Sequence, residues 1–158
     1  MKIILQPSKI EDAENIVSLL RKSIIEVCGP DYGHSKAILD DWLENKTVCN
    51  LSEWILNRNN ICISASIDGK LVGFGLSNIS GEILLLYVLP EFINNGVGKS
   101  IYLYIENELI SRRITTITTF STITASTFYQ RMGFQQVKKT KRSDEVDGEV
   151  HYEKHISL

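Results

Sequence analysis

Apolar residues in the first third of the chain recur at helical spacing. Ile10, Ala13, Ile16, Val17, Leu20, Ile24 and Val27 mark one face of an amphipathic helix that fades at Cys28, Gly29 and Pro30. Ser8 offers a cap for it, with Glu11 three residues on as the capping-box partner. Residues 2–5 ahead of it form a short strand closed by Pro7. Asp31, Tyr32 and Gly33 make a turn. Residues 35–43 then carry Ile38, Leu39, Trp42 and Leu43 on one side of a second helix, and residues 50–56 suit a short third.

Near Asn59 the period changes from helical to two. Residues 61–67 alternate and are rich in β-branched side chains, Asp68-Gly69 is a hairpin turn, and residues 71–76 return. Ser80-Gly81 turns again into residues 82–88, which completes an antiparallel meander. Pro90 ends that strand because it cannot donate to a ladder. A glycine-rich turn leads into a helix with Ile101, Leu103, Tyr104, Ile105, Leu109 and Ile110, ending at Arg112-Arg113. Residues 114–120 form a further strand, expected parallel to residues 82–88 through a right-handed crossover. Residues 122–132 read as a helix stopped by Gly133, and residues 134–141 and 150–156 as a last strand pair. Residues 141–149 are a polar, mobile connection.

Size and composition narrow the class. The 158 residues favour one domain, residues 1–158, with a proper core. Net charge is −2, so there is no broad electrostatic case for nucleic acid or an anionic membrane as a partner. Cys28, Cys49 and Cys62 are widely spaced and contain no Cys-x-x-Cys, which points to reduced thiols in a cytoplasmic protein. The first residues lack the apolar core of a signal peptide, and no run is long and apolar enough to span a membrane. His34, His151 and His155 match no metal-ligand spacing, so no metal is expected. Ser121 and Ser126 lack a Gly-x-Ser-x-Gly context, which leaves a serine hydrolase unsupported.

The Gly96–Gly98 turn is where chemistry first shows. A tight turn of converging backbone N–H groups at a helix N-terminus is suited to phosphate. The same stretch also reads as a plain loop, since short glycine motifs are common.

Two segments together resemble the GNAT superfamily of acetyl-CoA-dependent N-acetyltransferases. Residues 86–98, with Pro90, Glu91, Phe92, Gly96 and Gly98, look like the family's strand–Pro–Glu–aromatic lead into an Arg/Gln-x-x-Gly-x-Gly/Ala pyrophosphate loop. Residues 121–134, with Ala125, Phe128, Tyr129, Gly133 and Phe134, look like its Ala-x-x-Phe-Tyr-x-x-x-Gly-Phe helix. The order of elements extends the resemblance over nearly the whole chain, although residues 8–58 match only in helical character. Two departures stand out: Ile93 replaces the usual Arg or Gln, and Ser121 and Thr122 stand where many members carry Asn.

The resemblance implies a mixed α+β fold whose central, mostly antiparallel sheet of about six to seven strands is flanked by helices, with two neighbouring parallel strands splayed apart. It implies acetyl-CoA as the acetyl donor, held by backbone groups around Asn94, Asn95, Gly96, Val97, Gly98, Lys99 and Ser100, with Lys99 and Arg131 as added charge. Backbone groups at Leu86, Tyr87 and Val88 would meet the pantetheine arm, with the Val88 N–H aimed at the thioester oxygen. Tyr129 sits where the family's tyrosine approaches the sulfur, and a phenol near its ordinary pKa is a proton donor at neutral pH. Glu82 is spaced from Gly96 like the glutamate base of the histone-acetylating branch, and by period two it shares a face with Leu84, Leu86 and Val88.

The acceptor would meet the first two helices and their connection, where Glu26, Tyr32, His34 and Trp42 are candidate contacts. The acidic lean of that region fits a cationic amine. The expected reaction is direct acetyl transfer to a primary amine of a small molecule, peptide or protein. The resemblance leaves a homodimer open. A non-catalytic acyl-CoA-binding regulator, favoured by Ile93, and an unrelated nucleotide-binding module stay open as rivals.

Overall fold

Period-two alternation after Asn59 closes into three antiparallel strands, β2 (Asn60–Ile67), β3 (Lys70–Asn78) and β4 (Glu82–Val88). The computed structural model describes residues 1–137 and 149–158. The Asp68-Gly69 turn joins β2 to β3 with φ of 50° and 78°, the paired positive φ that an Asp-Gly hairpin supplies. β1 (Ile4–Pro7) lies antiparallel on the outer edge of β2. On the other side, β5 (Thr116–Thr122) runs parallel to β4, β7 (Glu149–His155) antiparallel to β5, and the two-residue β6 (Gln135–Gln136) along β7. Among the described residues the sheet order is β1-β2-β3-β4-β5-β7-β6, mostly antiparallel with one parallel pair, as expected.

Helices cover both faces. α1 (Ala13–Val27), α2 (Lys36–Glu44) and α3 (Val48–Leu56) lie between β1 and β2 in the chain, α4 (Val97–Ser111) connects β4 to β5, and α5 (Ser126–Arg131) follows β5. α1 buries Ile16, Leu20 and Ile24 completely or nearly so, each contributing about 1.5–3 kcal/mol of transfer free energy. α4 packs close because β3 is bare beneath it: a Cβ at Gly75 would stand 2.5 Å from Ile101 Cγ2 and 3.0 Å from Ile105 Cδ1. Val72, Phe74 and Leu76 point the opposite way by period two and are buried on the α1 side.

One irregularity makes the site. Leu76 pairs with Leu85 and Ser77 with Ile83, so Leu84 is the extra residue of a β-bulge. β4 therefore turns away from β5, and their parallel pairing is confined to Glu82↔Thr118 and Ile83↔Thr119. The bulge also breaks the expected face-sharing. Leu86 and Val88 pair with Gly75 and Gly73 on the α4 side, and the extra residue puts Glu82 out of phase with them.

Local departures have local causes. Ser8 caps nothing, because its hydroxyl lies 2.6 Å from that of Ser64. The first turn is a short 3-10 segment, Ile10–Asp12, in which the Lys9 N–H donates to the Asp12 carboxylate at 3.2 Å, and Ile10 is exposed. α5 begins later than its apolar pattern because residues 122–125 form a turn with Ala125 N–H bonded to Thr122 O at 3.2 Å. Residues 138–141 of the expected strand, and residues 141–148 of the expected mobile connection, lie outside the described residues.

The junction below the bulge rests on Gly81. Its carbonyl accepts from Thr118 N–H at 2.9 Å, its φ is +106°, and a Cβ there would meet Thr116 O at 2.5 Å. Gly81→Ala is expected to cost about 3 kcal/mol through left-handed strain plus a clash with rigid backbone. A urea-unfolding midpoint within error of the parent protein would refute this.

Candidate active site

Below Ile83 the two parallel strands share hydrogen bonds; above it they do not, and the gap opens into a cleft of about 1240 Å³. Leu89 N–H bonds Val72 O on β3 at 2.8 Å. By alternation of backbone groups, the N–H groups of Leu86 and Val88 are turned the other way, toward the gap. The Val88 carbonyl on that edge accepts from Ser23 Oγ of α1 at 3.0 Å.

One end of the cleft is the start of α4. Gly96 is its N-cap, at φ 83°, with no side chain capping the helix. The first intrahelical bond runs from Ser100 N–H to Gly96 O at 3.0 Å, so the N–H groups of Val97, Gly98 and Lys99 have no partner within the helix. Gly96, Gly98, Asn94, Lys99 and Arg131 line this end. A Cβ on Gly96 would meet nothing within 4 Å, and one on Gly98 would press on Phe128 at 3.3 Å. Glycine is thus needed at Gly96 for its backbone angle and at Gly98 for the close approach of α5. The turn has the bare donors, the positive helix end and the flanking cations that a diphosphate requires. Ile93 also lines it, 40% exposed, as an apolar group among them. Asn95 and Ser100 do not line the cleft, and Val97 is buried beneath it.

Tyr129 stands at the middle of the cleft wall. Its ring is held edge-on by Phe128 and Phe134 and stacks on Tyr152. Burial raises its phenol pKa, and the hydrogen-bonding Thr119 hydroxyl offsets part of the rise. Tyr87 from β4 is raised likewise, above all by burial, with the Glu149 and Asp31 carboxylates adding to the rise. Tyr87, Cys28, Tyr129 and Glu149 all line the cleft. Burial, reinforced by Asp31, pushes the Cys28 thiol up to about 12, so it stays protonated and is no nucleophile at neutral pH.

The other end belongs to α2 and the start of β7. Asp41 and Trp42 of α2, with Asn45 and Lys46 just past its end, line this part of the cleft together with Leu84 of the bulge, Phe120 and Thr122 of β5, and Glu149 of β7. Glu149 pairs with Thr122 across the ladder. Its half-buried carboxyl is pushed up to about 7 by desolvation, against the pull of Lys46. Lys46 is itself lowered by burial, with Glu149 opposing. Asp31 spans the cleft's rim, accepting from Thr124 N–H at 2.8 Å and Thr124 Oγ1 at 2.5 Å.

The structure thus gathers Tyr129, Leu86, Tyr87, Val88, Asn94, Gly96, Gly98, Lys99, Arg131 and Trp42 around one cleft. It does not bring the others there. Glu82 sits at the closed end of the splay, with Asn78 Nδ2 3.5 Å from its carboxylate. Tyr32 is buried and donates to Ile25 O at 3.3 Å, while Glu26 and His34 are exposed outside the cleft. Glu149 and Lys46 escaped the sequence reading: each lies in a polar stretch, and only the ladder and the α2 terminus turn them inward. Among the described residues, no group of three or more His, Cys, Asp or Glu could hold a metal ion, and no helix is long and apolar enough to cross a membrane.

A family model described as an acetyltransferase (GNAT) domain matches residues 30–155. The PaiA N-acetyltransferase of Thermoplasma acidophilum, solved in complex with coenzyme A, shares 23% identity, covers 98% of this chain and 99% of that one, and superposes with a TM-score of 0.82. A GCN5-related N-acetyltransferase from Rhodopseudomonas palustris gives a TM-score of 0.86 at 19% identity, covering 99% and 97%. An aminoglycoside 6'-acetyltransferase type Ii gives 0.72 at 20%, covering 98% of each chain. At these identities the likeness is one of fold. No curated protein matches the chain by sequence.

Proposed function

The chain belongs to the GNAT acetyltransferase family, and from that premise we propose that it moves an acetyl group from acetyl-CoA to a primary amine by direct transfer in a ternary complex. The observation that carries this reading is the single cleft that joins an uncapped helix start, a slot with free strand edges and a buried phenol. Acetyl-CoA supplies the acetyl group as an activated thioester. The residues present fit it: the bare N–H groups of Val97, Gly98 and Lys99, with the Lys99 and Arg131 side chains, are the phosphate cradle. Leu86 and Val88 offer the slot's edge, where the Val88 N–H is the hydrogen-bond donor for an oxygen gaining charge.

Tyr129 is the acid. Its proton stays on at neutral pH because burial favours the neutral phenol, so the O–H is present to donate a hydrogen bond to the departing sulfur as charge builds there. The protonated Cys28 favours direct transfer over a covalent acyl-enzyme on that thiol. The acceptor enters from the α2 side, past Trp42 and Leu84.

Ile93 supports a second reading, a protein that binds acyl-CoA and transfers nothing, because it removes one side-chain contact to the phosphates while leaving the backbone cradle intact. Thermal melting with acetyl-CoA, CoA and ATP tests both readings, followed by thiol release with a panel of amines. At a hundredfold excess over the dissociation constant, both CoA species are expected to add about 2.7 kcal/mol to stability, a midpoint rise of about 5–10 °C, and ATP none. A rise without thiol release would favour the second reading. No rise at millimolar acetyl-CoA would defeat both.

A further inference from the structure

We infer that Glu149, not Glu82, takes the proton from the acceptor amine, with Lys46 as the counter-charge that tunes it. This rests on the transferase reading above. Three features of placement carry it. Glu149 opens β7 directly beside Thr122 of β5, on the cleft wall. By period two it shares the strand face of His151, whose ring stacks on Phe120 at 4.5 Å, and Phe120 is itself a cleft residue. Among the described residues its carboxylate takes part in no ion pair within 4 Å and no hydrogen bond. Toward those residues it is an uncommitted acceptor, and it lines the same cleft as Tyr87 and Tyr129. Glu82, by contrast, lies where β4 and β5 are still zipped together.

The surroundings suit a base. An amine reaches the enzyme as R–NH3⁺, which has no lone pair to offer. The Glu149 carboxylate accepts one proton from it, leaving R–NH2, and then releases that proton to solvent. Half-burial raises the carboxyl to about 7, between its ordinary value and that of an alkyl amine, where it is deprotonated often enough to act and basic enough to take the proton. Lys46, two residues past the end of α2, is the charge that resists this rise. Among the described residues, the other titratable groups lining the cleft are Asp41 of α2, Cys28 at the C-cap of α1, Tyr87 of β4, Tyr129 of α5, and Lys99 and Arg131 at the far end, with Asp31 at the rim and His151 next on the same face of β7. Of these, Cys28, Tyr87 and Tyr129 are held neutral near pH 7 by burial.

The test follows kcat/KM against pH for the full chain with acetyl-CoA and the best amine of the panel, and the carboxyl titration of ¹³C-glutamate-labelled protein. In the parent protein one glutamate resonance should titrate near 7 and be missing in Glu149→Gln, and the acidic limb of kcat/KM should share that midpoint. Glu149→Gln should lower kcat/KM at pH 7 by about a hundredfold, the low end for a lost general base. It should also erase the limb and leave acetyl-CoA affinity unchanged. Lys46→Met should move both resonance and limb to higher pH, since removing a positive charge favours the protonated carboxyl; a packing role for Glu149 would not produce that joint shift. Turnover in the parent protein with an unchanged limb in Glu149→Gln would overturn the assignment alone. No acetyl transfer by the parent protein would overturn the transferase reading and this assignment with it.

Discussion

Gly96→Asp is expected to abolish acetyl-CoA binding while the protein stays folded. The change meets no clash and costs about 1 kcal/mol of left-handed backbone strain, too little to unfold the protein. A Cβ meets nothing within 4 Å, and aspartate accepts the left-handed angle of +83° better than most residues. The new carboxylate lands at the first turn of α4, where it can accept from the unpartnered N–H groups and gain about 0.3–1 kcal/mol from the helix dipole. That gain is the reason for the loss. The side chain occupies the donors that the phosphates need and sets a like charge beside them, so affinity should fall at least a hundredfold, about 3 kcal/mol. Calorimetric titration with CoA reads it directly, alongside an unliganded melting midpoint close to that of the parent. Unchanged affinity would remove the phosphate assignment.

Tyr129→Phe should separate binding from chemistry. The ring contacts with Phe128, Phe134 and Tyr152 survive the substitution, so fold and cofactor affinity should hardly move. What disappears is one proton at the cleft wall. Removal of a positioned general acid lowers turnover by about 10²–10⁴-fold. The parent phenol stays protonated throughout the neutral range, so the loss should be the same at pH 6 and pH 8. Steady-state rates with saturating acetyl-CoA check this. Full activity would reduce Tyr129 to packing.

The elements were legible because their causes are local. Period-two runs, the Asp68-Gly69 turn and the helical stripe of α1 each carry their own signal within a few residues. The glycine turn that starts α4 was legible for the same reason: Gly96 and Gly98 are near neighbours in the chain. The opposite end of the cleft was not. Glu149 and Lys46 share one end of the cleft only because β7 returns beside β5 and α2 ends near it, and half-burial in a charged stretch leaves no mark on the sequence. Asp31 contributed to the acidic lean expected to greet an amine, yet its carboxylate is bound to Thr124 and buried. Ser8 was a sound cap in isolation and lost its role to a distant hydroxyl on β2. The face expected for Glu82 is off by a single residue, since a count by twos along β4 cannot see the bulge at Leu84.

That extra residue also divides the strand's labour. Beyond the bulge, Leu86 and Val88 lie on the α4 face and turn backbone edges to the slot, whereas Leu84 itself, 46% exposed, stands in the half of the cleft that α2 faces. On the proposed transferase reading, evolution could therefore change the side chain at Leu84 and reshape what is accepted without disturbing how the donor is gripped.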